Sequence, residues 1–248
     1  MNTIETLKIR TTNSPAINNK LYSLWLEKTL DVSQVEIILA NYFARTINTV
    51  SRVCDVVCAL IDPIRIIKDK QYAVAIIDNL ENLQDELGTH NKQSHVILLA
   101  EWINILLTKL GSKHIPIEDH YQKFLTEETL EFNRVQKQLY KDDSIQTVVG
   151  ASLAQELFAD HMMKQIHDGY TKNYPHLFDC PKEFQSSNKY FLVHVDGTEE
   201  NHGNLIAKIV SLVCYTDEDI AKINQSYDTF EKITYNFWNG IFNKLNKS

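Results

Sequence analysis

Acidic and histidine side chains that could together bind metal ions occur in three segments of the 248-residue chain. The densest segment reads YFLVHVDGTEENHGNL over residues 190–205 and places His194 and His202 eight positions apart, with acidic residues between them. Imidazole and carboxylate ligands suit iron or manganese, and the helices of a bundle hold them rigidly. A solvated helix end or turn would explain the same residues without a metal, so this segment has to be weighed with the other two.

The first of the other segments reads NLQDELGTHNKQSHVILLAEW, in which Glu86 ends one helical pattern and His95 begins another. An unbroken helix would turn these two side chains to roughly opposite faces. Three residues typical of helix ends indicate a break between them: Gly88, Asn91 and Ser94. His90 is a competing ligand four positions after Glu86, and a surface turn without a metal is the alternative interpretation.

The second segment reads GASLAQELFADHMMKQI and places Glu156 among apolar residues of a predicted helix. Burial of a carboxylate is costly unless its charge is compensated, and a metal ion would compensate it. A salt bridge to a lysine, or a hydrogen bond to His161, would do so without a metal. Both interpretations stay open at this point.

In the segment at residues 190–205, His194 and His202 lie about 80° apart on an ideal helix and can share a face. Glu199 lies roughly 140° from His194, whereas Thr198 falls nearer the shared face. A single-turn bulge at Gly197 would turn Glu199 inward, because glycine tolerates the distortion. If the helix is regular, Thr198 faces the site instead.

The composition favours an all-α fold formed by a single domain over residues 1–248. Only 7 glycines and 5 prolines occur, and apolar residues recur at three- and four-residue steps. We expect seven or eight helices around one core, the first of them capped by Asp31 or Ser33. They are predicted at residues 33–61, 69–87, 94–110, 116–138, 144–173, 182–189 continuing through the segment at 190–205, 205–214 and 220–245.

The charge of the chain excludes some classes of partner. A net charge of −7 and a pI near 5.7 argue against a nucleic-acid surface, which needs clustered Lys and Arg. No signal peptide and no run of about 18 apolar residues is found, so the sequence predicts a cytoplasmic protein without a membrane partner. The four cysteines (Cys54, Cys58, Cys180 and Cys214) are expected to be buried free thiols.

The order of the metal-binding motifs resembles the heme-oxygenase-like diiron oxidases, and within them the CADD-like, death-domain-associating family. The matching stretches are LYSLW at 21–25, NLQDELG at 82–88, Glu156, YFLVH at 190–194 and ENH at 200–202. The resemblance implies a heme-oxygenase-like helical bundle with two metal ions, Fe/Fe or Fe/Mn. The implied ligands are Glu86, His95, Glu156, His194, Glu199 and His202. The chain departs from the family in a longer gap before His95 and one extra residue in the last motif.

The resemblance also implies an activity. CADD-like proteins are linked to formation of p-aminobenzoate, for folate biosynthesis, from a tyrosine of the protein itself. The matching tyrosines are Tyr22 and Tyr190, although from the residues alone each is more typical of a core tyrosine. Dioxygen as co-substrate, a reductant and a homodimer are implied as partners.

Relatives with the same fold include heme oxygenases and thiaminase-like hydrolases, so the fold alone does not fix the activity. No histidine precedes His90, which excludes the early heme ligand of a heme oxygenase, and no cysteine lies near Glu156 to act as a thiaminase nucleophile. The alternative function from another class is a non-catalytic interaction module that binds death domains. Metal content would discriminate between the oxidase and this module.

Overall fold

The structure is a computed structural model that describes residues 3–88, 92–195 and 198–247, without the side chains of residues 3, 195 and 198–201. These residues form fourteen α-helices and no strand. They also form two 3-10 helices, which span Tyr121–Phe124 and Pro175–Leu177. The all-α prediction is therefore confirmed. The α-helices are α1 Thr3–Thr12, α2 Lys20–Glu27, α3 Val32–Thr46, α4 Thr49–Leu60, α5 Pro63–Lys68, α6 Lys70–Leu87, α7 His95–Lys109, α8 Ile117–His120, α9 Glu127–Tyr140, α10 Ile145–Asn173, α11 Pro181–Ser187, α12 Lys189–Val195, α13 Thr198–Val213 and α14 Asp217–Leu245.

Helix α10 runs through the middle of the bundle and packs against α2, α4, α9, α12, α13 and α14. Its residues from Val148 to Glu156 are all buried, so this stretch has no solvent-facing side. Gly150 allows α14 to approach closely, because an added Cβ would lie 2.8 Å from the Ile223 carbonyl oxygen. This packing places Glu156 inside the bundle rather than at its edge.

The helix predicted over residues 33–61 is two helices, because the chain leaves helical geometry at Asn48. Thr49 supports the break by donating a side-chain hydrogen bond to the Thr46 carbonyl, an alternative to the helical ladder. Of the two predicted caps, Asp31 is correct: it accepts from the Gln34 N–H in a reciprocal capping box.

The helix predicted over residues 116–138 also breaks. It consists of α8, the 3-10 helix Tyr121–Phe124 and α9, and α9 begins where the Thr126 side chain accepts a hydrogen bond from the Thr129 N–H. Helices α1, α2 and α5 were not predicted. These differences explain why more helical segments are observed than the seven or eight expected.

The predicted helix from residue 182 through the segment at 190–205 is divided into α11, α12 and α13. Asn188 separates α11 from α12 with a non-helical backbone, and residues 196–197 lie outside the described residues. His194 therefore lies on α12 and His202 on α13, which begins at Thr198 rather than at the predicted residue 205. The expected bulge at Gly197 falls outside the described residues.

The prediction of buried cysteines is wrong. Cys54, Cys58 and Cys180 are exposed free thiols, and Cys214 is half-buried. On α4 the buried face consists of Val53, Val56, Val57 and Leu60, together with Arg52. The periodic apolar pattern was correct, but Cys54 and Cys58 lie outside its buried stripe.

Among the described helices, none combines the length and apolar character needed to cross a membrane.

Candidate metal centre

The junction of α6 and α7 brings Glu86 and His95 together, as the predicted helix break requires. Gly88 ends α6 in the left-handed conformation (φ 74°), and a Cβ there would lie 2.3 Å from the Gln93 carbonyl carbon. Ser94 donates a hydrogen bond of 3.0 Å to the Glu86 carbonyl instead of capping α7. The resulting distance from Glu86 Oε1 to His95 Nδ1 is 3.4 Å. His90 and Asn91 lie outside the described residues.

His194 extends from α12 towards this pair. Its Nδ1 donates to the Tyr190 carbonyl oxygen at 2.6 Å, which places the imidazole lone pair on Nε2, the usual arrangement in a metal-binding histidine. The rings of His95 and His194 are 4.4 Å apart between centroids. One potential ligand atom from each of Glu86, His95 and His194 lies within 4.8 Å of the other two, which is the spacing of a metal-binding group.

A second acid and histidine pair adjoins the first. His202 Nδ1 on α13 lies 3.9 Å from Glu156 Oε2 on α10, and both residues are buried. Among the described residues this is the ion pair of Glu156, rather than one with a lysine or with His161. Glu156 lines the same cavity as Glu86, His95 and His194, so the two pairs are neighbours.

Five of the six expected ligands thus come together, one from each of the five helices α6, α7, α10, α12 and α13: Glu86, His95, Glu156, His194 and His202. The side chains of the sixth, Glu199, and of its alternative, Thr198, lie outside the described ones. Whether Glu199 or Thr198 faces the site therefore stays a prediction.

Burial and like charges set the ionisation of the cluster. Burial and the neighbouring Glu86 carboxylate raise the pKa of Glu156 to about 8, against a hydrogen bond from Gln155. Burial and the nearby His95 lower the pKa of His194 to about 4, and burial lowers the pKa of His202. Burial alone would raise the pKa of Glu86, but the imidazoles of His95, His194 and His202 lower it. At neutral pH the imidazoles of His194 and His202 are therefore neutral, as metal ligation requires.

The donor set fits a carboxylate-rich iron or manganese site. Two buried carboxylates and three buried imidazoles converge, which suits these metals better than calcium or a thiolate-bound metal. His95 Nδ1 is buried and makes no hydrogen bond among the described residues, since its approach to Glu86 lacks hydrogen-bond geometry. A cation between the carboxylates would relieve their mutual repulsion.

A small cavity of about 50 Å³ adjoins the cluster. Its wall includes Tyr190, whose hydroxyl is 2.8 Å from that of Tyr42 and whose ring centroid is 4.9 Å from that of His194. The thioether of Met163 lies 3.0 Å from the Tyr42 hydroxyl. Tyr42 was missed in the sequence, although a tyrosine within the apolar run IILANYFA could have suggested a polar contact.

Tyr22 is also buried but does not belong to the described residues that line the cavity. Its ring packs on Trp238 with centroids 4.8 Å apart. Burial raises the pKa of Tyr22 well above its usual value, although the charge of Arg45 opposes this effect. Of the two expected reactive tyrosines, Tyr190 therefore adjoins the ligands directly.

No family model and no curated protein matches this sequence. Solved structures do match it. Two crystal structures of a CADD-like protein of unknown function from Nostoc punctiforme PCC 73102 superpose with TM-scores of 0.72 and 0.69 at 14% identity. They cover 98% of this chain and 96% and 94% of theirs. A TenA homolog from Pseudomonas syringae pv. tomato str. DC3000 superposes with a TM-score of 0.71 at 13% identity, over 98% of this chain and 90% of its own.

CADD-like and TenA proteins both have the heme-oxygenase-like fold. At such low identity the similarity establishes architecture and not activity. The expected resemblance is confirmed at that level: this chain has the heme-oxygenase-like fold of the CADD-like and TenA proteins.

Proposed function

We propose that this protein is a non-heme dimetal oxidase that reduces dioxygen with electrons from an external reductant. The observation that carries the proposal is the buried convergence of Glu86, His95 and His194 next to the Glu156–His202 pair. Such a cluster is costly to bury without a cation, because two carboxylates repel each other in a medium of low dielectric constant.

The protein residues would hold the ions and control access to them. Two iron ions, or one iron and one manganese, would supply the electrons that dioxygen accepts at such a centre. Glu86 and His95 are fixed by the α6–α7 junction, and the Tyr190 carbonyl orients the His194 ring. The burial of all five described ligands excludes bulk water from the chemistry.

The group that is oxidised would be aromatic and close to the ions. The family resemblance favours a tyrosine of the chain as the source of p-aminobenzoate, with Tyr22 at the matching position. The geometry supports Tyr190 as well, since it lines the cavity and shares a hydrogen bond with Tyr42. Because a donor tyrosine is consumed, turnover would stop near one per chain.

The test supplies the purified protein with ferrous iron, a reductant and dioxygen, and measures metal content and oxygen uptake. We expect iron-dependent uptake that is lost in His194→Gln and kept in His176→Gln, a matched control at an exposed histidine. A protein that takes up neither iron nor manganese would contradict the oxidase and favour the non-catalytic module.

Mass spectrometry of the reacted protein identifies the oxidised group. We expect a mass change on Tyr22 or Tyr190, absent from the corresponding Tyr→Phe variant. Unmodified tyrosines together with many turnovers of an added substrate would contradict self-modification but leave the oxidase intact.

A further inference from the structure

Two buried arginines line the same cavity as the metal-binding cluster. Arg45, near the end of α3, is 4% exposed, and Arg52, on α4, is 7% exposed. Arginine is almost never fully buried in proteins unless its charge is paired. The two buried charges are therefore expected to have a negatively charged partner.

No carboxylate of the described residues forms an ion pair with either guanidinium. Arg45 Nη1 donates to the weakly accepting Met162 thioether at 3.0 Å, and Arg45 Nε is buried without a hydrogen-bond partner. Arg52 Nη2 donates to the Arg45 carbonyl at 2.7 Å, at the end of α3. Each guanidinium has five N–H donors, and none of the acceptors described for them carries a negative charge.

Charged groups nearby do not supply the missing negative partner of Arg45 and Arg52. Burial lowers the pKa of Arg45, and the groups that oppose this effect are tyrosines, not carboxylates. Burial and the charge of Arg45 lower the pKa of Arg52 to about 9. Arginine side chains stay protonated at neutral pH in proteins, so both groups carry a charge.

Aromatic rings compensate these charges only in part. Arg45 Cζ lies 5.0 Å from the ring centroid of Phe132 and 6.0 Å from that of Phe237. Contacts of this kind stabilise a cation only weakly. Removing an ion from water costs considerably more, even after the protein relaxes. The larger cost indicates that an anion completes the site.

A basic groove at the surface reaches Arg52. Arg52 also lines an outer groove of about 450 Å³ between α4 and α9, together with Arg134, Lys137, Lys141 and Asp55. Asp55 pairs with Lys141, and Glu131 pairs with Arg134, which leaves an excess of positive charge in the groove. In a chain with a net charge of −7 such a groove would attract anions selectively.

We propose that Arg45 and Arg52 form an anion subsite that binds the carboxylate of a small organic acid, which reaches the metal-binding cavity through the α4–α9 groove. Guanidinium groups match the planar geometry of a carboxylate in paired hydrogen bonds. The inner cavity of about 50 Å³ holds a group of few atoms, since a single water needs about 10–15 Å³ of such space. The oxidation of this acid rests on the proposed function, but its binding does not.

The test measures binding to metal-free protein, so that direct coordination of the acid to a metal cannot contribute. Metals are removed with phenanthroline, a neutral chelator that does not itself compete for an anion site. Acetate is then titrated calorimetrically, with acetamide as its neutral isostere and inorganic phosphate as the alternative anion. We expect saturable binding of acetate, none of acetamide, and weaker binding of phosphate. Wild-type protein that binds no acetate, or binds phosphate more tightly, would overturn the carboxylate subsite.

Variants locate the binding site. Arg45→Met and Arg52→Met should each weaken acetate binding about 10- to 100-fold, the usual effect of removing a hydrogen bond to a charged group. Arg134→Met, at the exposed rim of the groove, should slow association and leave the equilibrium affinity nearly unchanged. Unchanged acetate affinity in both Arg45→Met and Arg52→Met would overturn the assignment.

Melting temperature separates a binding role from a structural one. Arg45→Met removes a buried unpaired charge, so we expect the acetate-free variant to melt at the same or a higher temperature than the wild type. A lower melting temperature with acetate affinity retained would make Arg45 structural and overturn the proposal. His202→Gln should lose metal but keep acetate binding, which distinguishes failure of this subsite from failure of the metal centre.

Discussion

Two buried polar clusters in this bundle differ in whether they complete their own interactions. Around Asn41, the amide donates to the carbonyls of Ile37 at 2.7 Å and Phe124 at 3.0 Å. Its oxygen accepts from the Thr126 N–H at 2.9 Å and from the Thr129 hydroxyl at 2.6 Å. This cluster joins α3 to α9 without any external partner, as expected of a structural network.

The metal-binding cluster is also buried but remains incomplete. It brings Glu156 close to Glu86 and His95 close to His194, pairings that repel when charged. Single buried atoms without partners also occur elsewhere, for instance Trp102 Nε1. The distinguishing feature is therefore the concentration of ionisable groups. Closed networks stabilise a fold, whereas a cluster of this kind indicates a ligand that the chain alone does not provide.

The largest difference between the clusters should appear in metal binding. Glu86→Gln removes a charged ligand, and we expect iron affinity to fall by about 100-fold or more, since even the outer partners of ligands contribute 10- to 100-fold. Asn41→Ala should leave affinity unchanged in the protein that still folds. Competition with a chelator of known affinity measures both, and equal affinity in Glu86→Gln and wild type would contradict the site.

The next effect is on the stability of metal-free protein. Asn41→Ala leaves several buried partners unsatisfied and should lower the free energy of unfolding by about 2–4 kcal/mol. Glu156→Gln removes a buried carboxylate beside another and should be neutral or raise it by about 1 kcal/mol. Thermal melts resolve the difference, at about 2–4 °C per kcal/mol for a chain of this size. An equal loss of unfolding free energy in both variants would contradict the distinction between the two clusters.

The smallest effect is a pH dependence confined to the metal-binding cluster. In the folded, metal-free protein the pKa of Glu156 is raised to about 8. The protonated side chain therefore stabilises the fold fully only below the pKa that Glu156 has in the unfolded chain, and this contribution is lost as pH rises towards 8. Metal binding near pH 7 should therefore release a proton, and affinity should increase with pH up to about 8. Calorimetry in buffers of different ionisation enthalpy measures the release. Glu156→Gln should abolish it, and an unchanged release in that variant would refute the assignment to Glu156.

The fold was predictable where local patterns dominate. The apolar periodicity located α6, α7, α10 and α14, and Asp31 was recognisable as a cap. The breaks at Asn48 and before Thr126 depend on side chains that bond to the backbone, a competition that periodicity does not register. Cys54 and Cys58 were misplaced because a residue at the edge of an apolar stripe can face either way.

The site was predictable in residue type more than in arrangement. Gly88 correctly indicated the turn that joins Glu86 to His95, because only glycine fits its backbone and surroundings. The family order pointed to Glu156 and His202, which lie 46 positions apart and could not have been paired by a local pattern. Arg45 and Arg52 were missed, since their burial and lack of acidic partners are properties of packing alone.

The central claim is that two metal ions lie between these side chains, and anomalous diffraction at the iron and manganese edges tests it most directly. Crystals of protein loaded with either metal should show two anomalous peaks about 3.5–4 Å apart. One peak should lie among Glu86, His95 and His194, and the other beside Glu156 and His202. Fully loaded crystals with peaks only at the protein surface, or with none, would contradict the account.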